Sequence, residues 1–478
     1  MQDDRSKRRS LGRWRIVPVS AVGVAILILA LIAHSIWVWE AGRKLNGEIA
    51  LLRAVGEPMS IEELMPSHLP DAENASQDYK APGQLVDEKQ PVWKKWYDSD
   101  SSKGEFHPPF TADEVTTMHA IVASNQASLQ IVARARGKMP GDWGDQFVRP
   151  YMLSTEKFNY KTERALADLL RIAAFAAHAD GRDREAVEHL GDMLRLEEAA
   201  LKRPTLIGHL VAVGIDTMTS ETVWQIAPDL RVGATGADSA AVTDLIHRLE
   251  EESALRDGRR LCWRSDRICA LDTYQSIMDG TLASGQSNAP SDSSRLLTVG
   301  YLVKPLILDD DRLMLIHLQG IEQAADAPDW PAAEGLMPTD LPHAIQANPK
   351  LHLLSSLLLP GFERCMHMDY RAGAERRLAA GALAMRLYAI DHDGRLPGRL
   401  EDLVPTYLPA VPIDPLSGRS ILYKTDAVRP RIYSVGDDGV DDGGIEQDRS
   451  LGSAKYGDKG DLVVNLKIQP RPVDEQSN

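Results

Sequence analysis

Apolar residues recur every three or four positions in some stretches of this chain and show no period in others, and the alternation predicts its elements. The first stretch is apolar on every side: from Ile16 to Trp39 it carries no charge, and Ser20, His34 and Ser35 are its polar interruptions. Twenty-four residues rising about 1.5 Å each give roughly 36 Å, enough to cross a hydrocarbon core of about 30 Å with some tilt. Trp14 on one side and Trp37 and Trp39 on the other match the aromatic belts of the two interfaces. Helical spacing continues through 45–55, and Ser60 with Glu63 forms a capping-box pattern for a short helix. From Pro66 to Pro109 the period is lost among Asp, Ser, Lys and Pro, which predicts an irregular stalk with Trp93 and Trp96 docking it onto the body.

Helical spacing returns at 113–136 and is clearest at 163–201. There Leu166, Leu169, Leu170, Ala173, Ala174 and Ala177 form one stripe, and Ala186, Leu190, Met193 and Leu194 form a second. The short GRDR turn between them predicts an antiparallel hairpin, similar to a tetratricopeptide unit with Ala186 at the close approach. Further helices are predicted at 206–226, 239–256, 266–278 and 310–325, with loops at 280–294 and 326–340. The segment 296–308 is too short for a second span, and is expected as buried helix or irregular core. A long helix over 362–391 ends at DHDGRLP, where Gly394 and Pro397 stop it. A short helix at 400–404 and strands at 421–424, 431–435 and 462–468 complete an α+β unit.

The predicted fold is therefore mainly α, with helical hairpins, an N-terminal transmembrane helix and a small C-terminal α+β unit. Its divisions are a basic tail (1–15), the span (16–39), a juxtamembrane helix and stalk (40–110), a helical body (111–360) and the C-terminal unit (361–478). Arg5, Lys7, Arg8, Arg9, Arg13 and Arg15 precede the span, whereas Arg43, Lys44 and Arg53 follow it closely. That bias predicts a cytoplasmic N-terminus and an extracytoplasmic body on a bacterial inner membrane. The apolar run exceeds the 7–15 residues of a cleaved signal peptide, so the span is expected to stay as an anchor. A net charge of −15 over 478 residues argues against nucleic acid as a partner. The expected partners are the membrane and other envelope proteins.

Catalytic signatures are absent from the sequence. Glu188-His189 lacks the HExxH spacing, and no GxSxG, Walker or dinucleotide-binding motif follows a predicted strand. Asp391-His392-Asp393 reads as a helix end. Glu250-Glu251-Glu252 and Asp309-Asp310-Asp311 read as helix caps or surface charge, the second near a helix N-terminus. Cys262, Cys269 and Cys365 have neither disulfide nor zinc spacing and read as buried small residues. The densest chemistry is YSVGDDGVDDGG (433–444), which is open to three readings: a cation site, a turn whose Asp and Gly satisfy backbone, or a catalytic pair.

The ordered pieces Tyr388, DGRLP (393–397), Leu400, Leu403, Asp414-Pro415, Gly418, Tyr423 and YSVG (433–436) resemble the globular head of type II secretion major pseudopilins. The resemblance covers about 375–466. It implies a pseudopilin-like head, a link to secretion or pilus-type machinery, and calcium in the final loop. The matching ligands are the Val435 carbonyl and Asp438, with Asp441, Asp442 and Asp448, or Asp458 and Asp461, supplying further oxygens. The whole chain is similar to signal-anchored bacterial envelope proteins that share GEP (56–58) and ENA (73–75) segments, a kinship that implies no activity. The expected function is an anchored scaffold or protein-interaction protein. Its alternative is an extracytoplasmic hydrolase-like enzyme with a site assembled from residues distant in sequence.

Overall fold

A computed structural model describes residues 13–86, 90–100, 108–152, 158–279, 293–338, 351–447 and 457–467. The first element, α1 (Arg13–Ala54), is one helix of 42 residues. At about 1.5 Å per residue it reaches about 63 Å, twice what a bilayer core requires. Its apolar part is long enough to cross a membrane and lies uncovered by the rest of the chain. The predicted span and juxtamembrane helix are thus one continuous rod.

Helices α2 (Ile61–Leu64), α3 (Ala75–Leu85), α4 (Pro91–Asp100), α5 (Ala112–Ser124) and α6 (Gln126–Ala135) follow. The irregular stalk expected over 66–109 is corrected here, because α3 and α4 occupy about half of it. Pro91 opens α4, and Val92, Trp93, Trp96 and Tyr97 recur at helical spacing beneath a polar composition. Trp93 and Trp96 are wholly buried in the main core.

The predicted hairpin is formed by α7 (Lys161–Ala179) and α8 (Asp183–Ala200), joined through Gly181. Helices α9 (Leu206–Ile226), α10 (Ser239–Glu250), α11 (Ser253–Met278), α12 (Ser293–Ala324), α13 (Trp330–Leu336) and α14 (Leu353–Asp391) complete the body. Two expectations change. The loop read over 326–340 holds α13, whose Asp329 N-cap accepts from the Ala332 N–H ahead of Pro331. Asp310 and Asp311 sit inside α12, buried, rather than near its N-terminus, because the helix runs straight through Pro305.

α14 packs against α9 and α10 on one side and the sheet on another, so the body and the C-terminal unit share one buried cluster from Ala75 to Leu466. Strands β1 (Ile413–Asp414) and β2 (Arg419–Ser420) close the DPLSG turn as a hairpin. Strands β3 (Leu422–Lys424), β4 (Arg431–Ser434) and β5 (Leu462–Asn465) form an antiparallel sheet in that order, with Ile432 opposite Val464 and both buried. The fold is mainly helical with one apolar N-terminal helix and a few small antiparallel strands, as the pattern predicts.

Candidate functional site

The acidic loop is held by the protein's own groups. Asp437 is buried and salt-bridged to Arg371 of α14, and the Gln447 side-chain amide donates to it at 3.0 Å. Arg371 also reaches Glu375 at 3.2 Å. Asp438 accepts from the Val440 N–H (3.0 Å), Asp441 from the Gly443 N–H (2.8 Å), and Asp442 from the Gly460 N–H (3.0 Å). Each carboxylate thus closes a nearby turn or pins the neighbouring loop. The Val435 N–H donates to Asp414, which also accepts from Ser434 and from the Leu416 N–H. Asp461 is fully buried and takes the N–H groups of Gly444 and Asp442; burial raises its pKa and those two bonds offset part of the rise.

At Gly436 φ is +73°, and a Cβ there would lie 2.2 Å from the Gly460 carbonyl oxygen. Glycine is required for the two loops to touch. Among the described residues no three of the Asp, Glu, His or Cys side chains converge as cation ligands would, and these carboxylates point to separate backbone donors. Asp448 lies outside the described residues. Of the set Val435, Asp438, Asp441, Asp442 and Asp448, the structure brings the first four into one loop pair without gathering their oxygens.

The other predicted chemistry dissolves into structure. His392 stacks on Tyr388 and bonds its carbonyl oxygen, while Asp391 accepts from the Tyr407 hydroxyl. Asp393 and Gly394 both take positive φ, which ends α14 as predicted. Cys262 is buried, and burial raises its pKa and those of Cys269 and Cys365. The segments singled out by kinship act as ties. Glu57 grips Arg264 (3.1 Å) and Arg267 (2.9 Å) of α11, and Asn74 caps α3 while donating to the Asp142 carbonyl at 2.8 Å.

The sequence reading missed two sites. The first is a cleft of about 470 Å³ beside Arg203, bordered by α3, the N-terminal turn of α7 and the loop through Asp145. Arg203 is sandwiched between Trp143 and Tyr160, 4.4 and 5.0 Å from their ring centres, and reaches Asp145 (3.1 Å) and Glu163 (2.9 Å). Burial raises the pKa of both carboxyls, and the Arg203 charge opposes it. Lys80, Gln84 and Asn159 complete a polar rim. The second lies in the core. Arg376 of α14 spans Asp216 (2.7 Å) and Glu197 (3.1 Å) and donates to the carbonyls of Arg248, Leu249 and Glu251 at the end of α10. Burial drives Asp216 well above the carboxylate range against the pull of Arg376.

A third ionic tie closes the α7–α8 turn. His178 Nδ1 meets Asp183 at 2.5 Å and Nε2 meets Asp229 at 3.1 Å. Burial lowers its pKa, but the two carboxylates outweigh burial and lift it to about 9. Charged residues on apolar helix faces, such as Arg376 and Glu163, were the available signal; spacing alone did not say which partners they meet.

No protein-family model, curated protein or solved structure matches this chain.

Proposed function

We propose that the chain is a single-pass, membrane-anchored protein of the bacterial cell envelope, with a cytoplasmic N-terminus. Its extracytoplasmic body serves as a scaffold or docking subunit for other envelope proteins. The observation that carries this reading is the continuity of α1. The helix leaves its apolar segment and enters the body without a joint: Leu45 and Leu52 cluster with Leu315, and Glu48 meets Arg312 at 3.5 Å. A body so mounted holds one orientation to the membrane, as a docking platform requires and a flexible tether would not provide.

The C-terminal unit is the docking head in this proposal, pseudopilin-like and linked to secretion or pilus-type machinery. The ordered sequence pieces support it, together with the exposure of Ile413, Val428, Val440 and Ile445 around the sheet and acidic loop. Photo-crosslinking in native membranes from Val428 and Ile445 tests it. An adduct containing a secretion or pilin-type subunit is expected; no adduct from either position, with the protein inserted, would overturn it. The same resemblance implies calcium in the acidic loop; the bonds of Asp438, Asp441 and Asp442 to backbone donors weigh against it, and calorimetry decides it.

The cleft beside Arg203 favours a second reading, an enzyme of hydrolytic type whose acid is Asp145, the carboxyl that lines the cleft. A carboxyl whose pKa burial raises, at the edge of a polar cleft, is a known way to supply a general acid. Loss of hydrolysis of an envelope glycan or peptide in Asp145→Asn, with the melting temperature kept, would support it; an inactive wild-type chain would dismiss it.

A further inference from the structure

α1 and α12 run side by side in the same direction. His34 meets Tyr301, Gly42 faces Leu308, Glu48 pairs with Arg312, and Leu52 clusters with Leu315. The N-terminal end of α12 therefore points along the anchor toward the membrane rather than away from it. Two of the polar interruptions of the apolar span, His34 and Ser35, meet α12 at Tyr301. His34 Nε2 donates to the Tyr301 carbonyl at 3.0 Å, and the Ser35 and Tyr301 hydroxyls lie 3.4 Å apart.

That carbonyl has a specific reason to need a partner. In a helix it would accept from the N–H four residues on, and that residue is Pro305, which has none. In water the orphaned oxygen would be hydrated. Within lipid it must be satisfied by a neighbouring helix, which is how prolines are tolerated in membrane helices. His34 supplies the bond from inside the apolar run, one turn from Trp37 and Trp39. Around it the chain exposes apolar surface: Ile32, Ile36, Trp37 and Trp39 of the anchor, and Leu302 and Tyr301 of α12, Leu302 at 57%. Lys304, one position from Pro305, carries an ammonium long enough to reach headgroups.

We propose that the end of α12 around Tyr301 and Leu302 is a second membrane contact, seated in the lipid interface beside the anchor. Its occupant is the bilayer, because the exposed patch is continuous with the anchor's own lipid-facing surface. The apolar run over 296–308 is too short to cross a bilayer, so the contact is interfacial and not a second span. The body is thereby fixed to the membrane at two points. The inference rests on α1 being a membrane anchor.

The full chain, reconstituted in phosphatidylethanolamine–phosphatidylglycerol vesicles, carries a nitroxide in turn at Leu302→Cys, Ile28→Cys and Val428→Cys. The native thiols are poor competitors for the label, with Cys262 buried and Cys269 and Cys365 raised to about 12 and about 11. Collision with oxygen and with a water-soluble nickel chelate reports the surroundings. The expected result is a label at 302 that favours oxygen several-fold more than the label at 428 does, as at 28. A label at 302 that behaves as at 428, with 28 in lipid, overturns the second contact alone. A label at 28 that favours the nickel chelate overturns the anchor itself.

Discussion

Replacing Arg371 with Met should detach the C-terminal sheet from α14 while leaving the helical body intact. Arg371 is the cation facing Asp437 and Glu375, whose side chains are 3% and 1% exposed. His367 cannot stand in at neutral pH, because burial holds its pKa near 4 against the pull of Asp437. Removing one partner of a buried ion pair costs about 3–5 kcal/mol, since the remaining charge is left in a low-dielectric site. The Gln447 amide stays on Asp437 at 3.0 Å. That bond softens the penalty toward about 3 kcal/mol. At 1.36 kcal/mol per tenfold, that is an opening roughly 100-fold more frequent. Hydrogen exchange followed by mass spectrometry should show protection falling by that factor in Arg431–Ser434 and Leu462–Asn465. Peptides from α7 and α8 should be unchanged. Arg371→Lys keeps the charge but not the fork and should fall between. Sheet amides that exchange as in the wild type would refute the assignment of Arg371 as the clamp.

His178→Gln should destabilise most at mildly acidic pH. The folded pKa of about 9 lies above the ordinary 6.5, so the stabilisation is fully present below pH 6.5, worth about 3 kcal/mol, and fades as pH rises through 9; melting temperatures of both proteins between pH 6 and pH 9.5 should converge, and a constant gap would contradict the bridge. Trp93→Ala should cost about 3–5 kcal/mol by thermal or urea unfolding, because the side chain is wholly buried; a loss under about 0.5 kcal/mol would return the segment to a loose stalk. Calcium added to the full chain should give no saturable heat, and a chelator no change in melting temperature, because Asp438, Asp441 and Asp442 are already committed to backbone donors. Saturable heat would mean that the carboxylates gather around the ion.

Legibility in the sequence followed the clarity of each period. The α7–α8 hairpin was plain because its stripes pair small and large apolar residues at 3.6-residue spacing around a Gly turn. The end of α14 was plain because Gly394 takes a conformation that few other residues adopt. α4 was hidden because its surface is polar, although Trp93 and Trp96 already marked its inner face. α12 was misjudged at Pro305, since a proline that normally interrupts a helix is here compensated by His34, 271 positions earlier in the chain. The Arg203 cleft and the Arg371 and Arg376 clamps were illegible for a common reason. Their partners come from helices far apart in sequence, and spacing carries no information about which distant charges meet.

The most direct test of the central claim is a pair of reporter fusions after Asn478 in a bacterial host. An anchored body on the far side of the membrane predicts an active periplasm-dependent phosphatase and a silent cytoplasm-dependent reporter, both retained in the membrane fraction after carbonate washing. An active cytoplasmic reporter, or release of the chain into the soluble fraction, would contradict the account.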